Sequence, residues 1–249
     1  MNEFVYKEFY DRCGTLQGWD FSKVRSISEG VKWDFYDEVS QNCEKSDILL
    51  DIGTGGGEAL LSIAEAALLV VGIDISDDMV AAATANAATS RNSNVRFMQM
   101  DSDILEFPDG FFDIVSSRQA PIRVSEVARV LADGGVFLTQ QVSEEDKRNI
   151  KQVFGRGQSY GIKDGMLQRK YVSELHEAGF REVQAFEYDA TEYYQSYEDI
   201  IFLLKHTPIV PNFGESDNDF VLLEKFMKAY QSEKGIMTNS KRFMIIARK

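Results

Sequence analysis

Seven residues, Asp51-Ile52-Gly53-Thr54-Gly55-Gly56-Gly57, join a carboxylate to a glycine-rich turn. The turn leaves the apolar run Ile48–Ile52 and enters a helical stretch from Glu58 to Ala67. Glycine in such a place lets the backbone reverse sharply and approach a ligand closely. The spacing is not that of a nicotinamide dinucleotide site, G-x-G-x-x-G, because the last glycine position is occupied by Glu58. It is not a P-loop either, since no Gly-Lys-Ser/Thr closes it. A carboxylate just ahead of the first glycine suits a ligand that carries positive charge. A pyrophosphate would instead call for backbone N–H groups and a helix dipole, with no carboxylate nearby.

Three further pieces follow in order. Asp74 ends the run Gly72-Ile73-Asp74-Ile75, 21 residues after Gly53. That spacing matches the acid that hydrogen-bonds ribose hydroxyls in Rossmann-like folds. Asp101-Ser102 follows the apolar stretch Val95–Met100, and Ser116-Ser117-Arg118-Gln119 leaves the stretch that begins at Phe112. These positions place side chains beside a base and beside a transferred group.

The elements that position these residues alternate. Apolar runs at Ile48–Ile52, Leu69–Ile73, Val95–Met100, Phe112–Ser116 and Val136–Gln141 read as buried parallel strands. Helical segments lie between them: one opens at Ser76-Asp77-Asp78, a cap followed by acids, and another carries Val124, Val127, Ala128 and Leu131 on one face. Strand–helix alternation with short connections is the signature of a doubly wound sheet. Residues 1–45 read as a helical cap, with Phe4, Phe9 and Tyr10, then Trp33, Tyr36 and Val39, at helical spacing. After residue 141 the chain offers a Gly-rich loop, Gly155–Gly165, a helix Val172–Ala178, a strand Arg181–Asp189, helices Tyr197–Lys205 and Phe220–Gln231, and a strand Arg242–Ala247.

Composition narrows the class. With 249 residues, 44% of them hydrophobic, one α/β domain over 1–249 is expected: the cap, a cofactor-binding core at 46–141 and a substrate-side part at 142–249. The net charge of −13 lacks the field that attracts phosphate backbones, which makes nucleic acid a poor partner. Cys13 and Cys43 form no CxxC pair, so neither a disulfide framework nor a metal site is expected. The N-terminus has no signal-peptide pattern, and no apolar run reaches the length of a membrane span. A cytoplasmic protein is the expectation, and the oligomeric state is not legible.

The ordered set of motifs resembles the class I S-adenosylmethionine (SAM) methyltransferase family, in its broad methyltransferase-domain branch. LLDIGTGGGE is similar to that family's first motif, GIDIS to its second, MDSDILEFPDGFFDIVSS to its third and fourth, and SEVARVLADGGVFLTQQ to its strand-five region; together they span about residues 46–141. Ala132-Asp133 stands where many relatives carry Lys-Pro, which leaves the turn intact. The resemblance implies a seven-stranded Rossmann-like α/β sheet of order 3-2-1-4-5-7-6, with helices on both faces, the seventh strand antiparallel and a helical insertion after the sixth. It also implies that Asp51, Gly53 and Gly55 surround the methionine part of SAM, that Asp74 holds its ribose, and that Ile75 and Met79 pack its adenine, whose amino group Asp101 binds. Thr54, Ser102 and Ser117 complete the implied cofactor set, and S-adenosylhomocysteine is the implied product.

The expected activity is methyl transfer from SAM to a small-molecule acceptor. An RNA methyltransferase and a non-catalytic SAM-binding regulator are the alternatives. Tyr10, Arg118, Gln119 and His206 are the candidate catalytic residues. His176 and His206 are the only histidines and read first as helix or surface residues; His206 is kept because it lies near the insertion. The aromatics at both ends of the chain, from Phe4 to Phe21 and from Tyr188 to Phe202, read as core packing first and as the wall of a substrate pocket second.

Overall fold

Ile48–Ile52 is aliphatic at every position but Asp51, and a strand of that composition is stable only with both faces covered. In the computed structural model, which describes residues 24–249, it lies inside the sheet as β2. The strands are β1 (Ser26–Glu29), β2, β3 (Leu69–Asp74), β4 (Val95–Gln99), β5 (Phe112–Arg118), β6 (Leu131–Val142), β7 (Glu182–Tyr194), β8 (Gln231–Ser232) and β9 (Gly235–Arg248). Their order is β1-β7-β9-β6-β5-β2-β3-β4, with β8 folded back on β9. β2 runs parallel to β3 and β5, whereas β9 is antiparallel to both β6 and β7.

The expected order of seven strands is therefore present from β4 through β7, but the sheet has nine strands among the described residues. β1 is the larger correction to the helical cap. Ser26–Glu29 is exposed at all four positions and has no hydrophobic stripe to announce it. It is a strand because the long edge of β7 offers it a ladder, from Ser26 opposite Tyr194 to Glu29 opposite Thr191. Tertiary pairing decides short edge strands more than propensity does. The helical part of the cap reading survives as α1 (Phe35–Asn42), which buries Phe35, Tyr36 and Val39 and is capped by the Asp34 carboxylate. Phe4, Phe9, Tyr10 and the other early aromatics lie outside the described residues.

Helices cover both faces. α1 and α2 (Glu58–Ser62) press Phe35, Val39 and Leu60 on Leu49, Val70 and Leu138. α4 (Val124–Val130) and α6 (Met166–Glu177) press Val127, Tyr171 and Leu175 on Leu50, Val115 and Phe137. Leu49 and Leu50 thus serve opposite faces, as the two-residue period of a strand requires. α3 (Asp77–Thr89) connects β3 to β4, and its Ser76 cap accepts from the Met79 N–H. A third cluster gathers α5 (Arg148–Phe154), α7 (Tyr197–His206) and α8 (Asp217–Tyr230) around Leu204 and Phe226, over the far halves of β7 and β9. Among the described residues no helix is long and apolar enough to cross a membrane.

Phe137 is fully buried on β6, 6.4 Å centroid to centroid from Phe180. Phe137→Ala is expected to lower unfolding free energy by about 3–5 kcal/mol, the usual cost of deleting a core phenylalanine. Urea denaturation of the two proteins checks this through a lower midpoint at unchanged slope.

Candidate functional site

The turn after β2 is held from two sides. The N–H groups of Gly53 and Thr54 both donate to the Ile73 carbonyl, at 2.9 and 3.0 Å. Asp74 then closes the arrangement: one oxygen accepts from the Gly55 N–H at 2.9 Å and the other from the Ser76 N–H at 3.0 Å. Glycine is required at position 53 for two reasons. Its φ is +77°, and a Cβ there would sit 2.2 Å from the Ala120 Cβ. The close approach made by Gly53 is thus to the β5–α4 connection of the protein itself. Gly55, also at positive φ, has no atom within 4 Å of where its Cβ would be, so the turn is open there.

That opening belongs to a cavity of about 540 Å³ beyond the carboxyl ends of β2, β3 and β5. β3 flanks β2 on one side and β5 on the other, so this is the crevice where the strand order reverses and ligands of doubly wound sheets bind. One end of the cavity brings together Gly53, Thr54, Gly55, Asp74, Ile75, Met79, Asp101 and Ser102, all expected from the sequence. Arg118 and Gln119 line the middle, Gln119 at a left-handed φ of 58°.

Three expected residues are elsewhere. Asp51 is completely buried and does not line the cavity; its carboxylate accepts from the Ser116 hydroxyl at 2.6 Å and the Tyr36 hydroxyl at 3.2 Å. It acts one layer down, through Tyr36, which does face the cavity and carries the Arg118 guanidinium 5.7 Å above its ring. Ser117 is also fully buried, with its hydroxyl directed at the Ala120 carbonyl, 3.5 Å away. His206 is turned back on its own helix: Nδ1 is 2.8 Å from the Phe202 carbonyl and the ring stacks on Phe202 at 4.0 Å. Tyr10 lies outside the described residues.

The far end of the cavity holds residues that sequence reasoning missed: Asp146, Lys147, Glu192, Tyr194 and Arg242. Lys147, only 1% exposed, donates to Glu192 Oε2 at 2.5 Å and to the Asn239 carbonyl at 3.0 Å. Tyr194 donates to the same Glu192 oxygen at 2.9 Å. Arg242 pairs with Asp146 at 2.5 Å. Burial raises the Asp146 pKa, but Arg242 and Lys147 outweigh it and hold that carboxyl below its ordinary range. Burial, then the neighbouring Glu192, push the Tyr194 hydroxyl well above the ordinary tyrosine value. In sequence, Asp146 and Lys147 sit in a charged run that reads as solvated surface. The one available signal is that Glu192 and Tyr194 are two apart in a strand and so share a face.

The comparisons with known proteins agree with this geometry. Residues 49–135 match the family described as methyltransferase domain. Over 103 residues the chain is 37% identical to the uncharacterized methyltransferase YcgJ of Bacillus subtilis, covering 39% of this chain and 41% of that protein. The crystal structure of YcgJ superposes with a TM-score of 0.59 at 20% identity, over 86% of this chain and 97% of that one. Demethylmenaquinone methyltransferase of Thermus thermophilus is 38% identical over 96 residues, 35% of this chain and 43% of that protein. The cyclase SpnF shares the fold with a TM-score of 0.62 at 20% identity, over 98% and 95% of the two chains. The matched segments thus span about two-fifths of the curated relatives' length. Residues 49–135 of this chain thus resemble a methyltransferase domain, and the α/β fold around them is shared with YcgJ and SpnF.

Burial pushes the Asp51 carboxyl up to about 6, although the Ser116 and Tyr36 hydrogen bonds and Arg118 oppose it. A raised carboxyl destabilises the fold once ionised, so its stability contribution is intact below about pH 4 and falls as pH rises to about 6. Across that window wild type is expected to lose on the order of 3 kcal/mol relative to Asp51→Asn. Urea unfolding of both proteins at pH 4 and pH 7 measures the difference, and parallel pH dependences would contradict it.

Proposed function

We propose that this protein, with residues 1–249 acting as one methyltransferase domain, transfers a methyl group from SAM to a small-molecule acceptor. The observation that carries the reading is the continuity of one cavity, with a nucleoside-type donor set at one end and a separate polar chamber at the other. The donor set fits SAM chemically. Asp74 and Asp101 present carboxylates suited to ribose hydroxyls and an adenine amino group, while Ile75 and Met79 supply apolar surface for a base. The open turn at Gly55 leaves room for the methionine part, and Thr54 and Ser102 stand beside it. SAM, when bound, supplies an electrophilic methyl group on sulfur.

The chain's own residues provide placement and shelter. Asp51 orients Tyr36, and Tyr36 with Arg118 and Gln119 stands between the two ends of the cavity. Leu203 and Ile209, from α7 and the segment after it, roof the far end and exclude water. A small acceptor is supported by the size of the cavity, about 540 Å³, and by a net charge of −13, which disfavours nucleic acid. The curated relatives named above include a methyltransferase of a small molecule, demethylmenaquinone.

Calorimetry and thermal shift with SAM, S-adenosylhomocysteine and NADH test the reading. Both adenosyl ligands are expected to bind and raise the melting temperature, and NADH to do neither. Asp74→Ala is expected to weaken SAM binding tenfold or more, about 1.5–3 kcal/mol for hydrogen bonds to a charged group. Binding of NADH alone would overturn the proposal.

A further inference from the structure

We propose that Glu192 is a catalytic residue of this site, taking the proton from the acceptor's nucleophile, and that the acceptor is a small molecule bearing a phenolic or enolic hydroxyl. The inference rests on the reading that the other end of the cavity holds SAM. Glu192 is 16% exposed, lines the cavity and uses only one of its two oxygens on the protein. Oε2 receives both Lys147 Nζ, at 2.5 Å, and the Tyr194 hydroxyl, at 2.9 Å. No described residue donates to Oε1, so the carboxylate is anchored on one side and free on the other. Lys147 and Tyr194 are positioning residues: they hold Glu192 in one orientation.

Charge decides the class of acceptor. The far chamber holds two cations and two anions already matched, Lys147 with Glu192 and Arg242 with Asp146, and Lys147 lies 3.9 Å from Asp146 as well. An ammonium acceptor would face Lys147 and Arg242, and a carboxylate would face Asp146 and Glu192. Either would be left as an unmatched charge in a largely buried place, which is costly. A neutral hydroxyl adds no charge and has a proton to donate to Glu192 Oε1. Val142, Leu203, Pro208 and Ile209 offer apolar surface for the body of such a molecule.

The step balances. The acceptor O–H gives its proton to Glu192, and an oxygen electron pair forms the bond to the methyl carbon. The carbon–sulfur bond breaks with its electrons remaining on sulfur. The products are the methyl ether, S-adenosylhomocysteine and protonated Glu192.

The test uses the whole chain with SAM and a panel of phenols and enols, with primary alkylamines and benzoates of matched size as controls, and detects methylated product by mass spectrometry. Wild type is expected to methylate hydroxyl compounds alone. Glu192→Gln is expected to lower kcat by about 100-fold or more, with KM and the SAM dissociation constant within a few-fold of wild type. Glu192→Gln removes the nearer carboxylate of Lys147 and is expected to lower stability. The double variant Lys147→Met/Glu192→Gln removes both charges together and serves as the folded control. Full kcat in a folded Glu192→Gln protein overturns the assignment. So does turnover confined to alkylamines or benzoates, or failure to methylate any hydroxyl compound while SAM binds. Failure of wild type to bind SAM would instead sink the methyltransferase reading on which the inference stands.

Discussion

A carboxylate buried at the centre of a parallel sheet is the feature around which the site is arranged. Asp51 sits on β2 with no exposure, and the hydroxyls of Ser116 and Tyr36 stand in for the water it has lost. Those hydroxyls come from β5 and from α1, so satisfying one side chain ties together three elements distant in sequence. An apolar residue would pack there at lower cost, and the ionised carboxyl is disfavoured by its burial. What the carboxylate contributes is orientation. Tyr36 is held with its ring under Arg118, at the place where the two ends of the cavity meet.

The same logic of mutual satisfaction shapes the far chamber. Lys147 adopts a left-handed backbone, φ 51°, and buries its ammonium between β7 and β9. Asp146 accepts from the Lys241 N–H as well as from Arg242. These pairs are individually weak sources of stability once desolvation is counted. Their effect is to lock the connection between β6 and α5 against the long antiparallel pair β7 and β9. α7 and α8, clustered with Tyr194 and Ile236 of those strands through Leu204 and Phe226, pack beside the far end of the cavity.

A fold of this kind does not dictate its chemistry. SpnF, a cyclase, superposes on nearly the whole of this chain, as does YcgJ over most of it. What a given chain of this fold does is set by the side chains around its crevice. In this protein one end of the cavity is lined by residues from the ends of β2 and β3 and from the segment after β4, all within the matched segment 49–135. The far end comes from 142–147, β7, β9 and the segment after α7, all outside it.

The sequence by itself determined whatever depends on local pattern. Short apolar runs located β2, β3, β4 and β5, the first of them closed by glycine. The acid after β3 and the acid after β4 were placed in the site by their position at strand ends, a consequence of α/β topology that needs no coordinates. Gly53 and Gly55 were legible because their backbone angles exclude most side chains. Only the tertiary structure decided the rest. β1 is polar, exposed and helical-looking, and exists because β7 has a free edge. Asp51 and Ser117 looked like ligand residues but face inward, since alternate residues of a strand point to opposite sides and only packing says which side is open. His206 was spent on its own helix. Asp146, Lys147, Glu192 and Arg242 belong to no motif in the sequence, and meet only because residues 146 and 242 are brought together across the sheet. Burial and pairing of charges are properties of the folded chain, and no local pattern carries them.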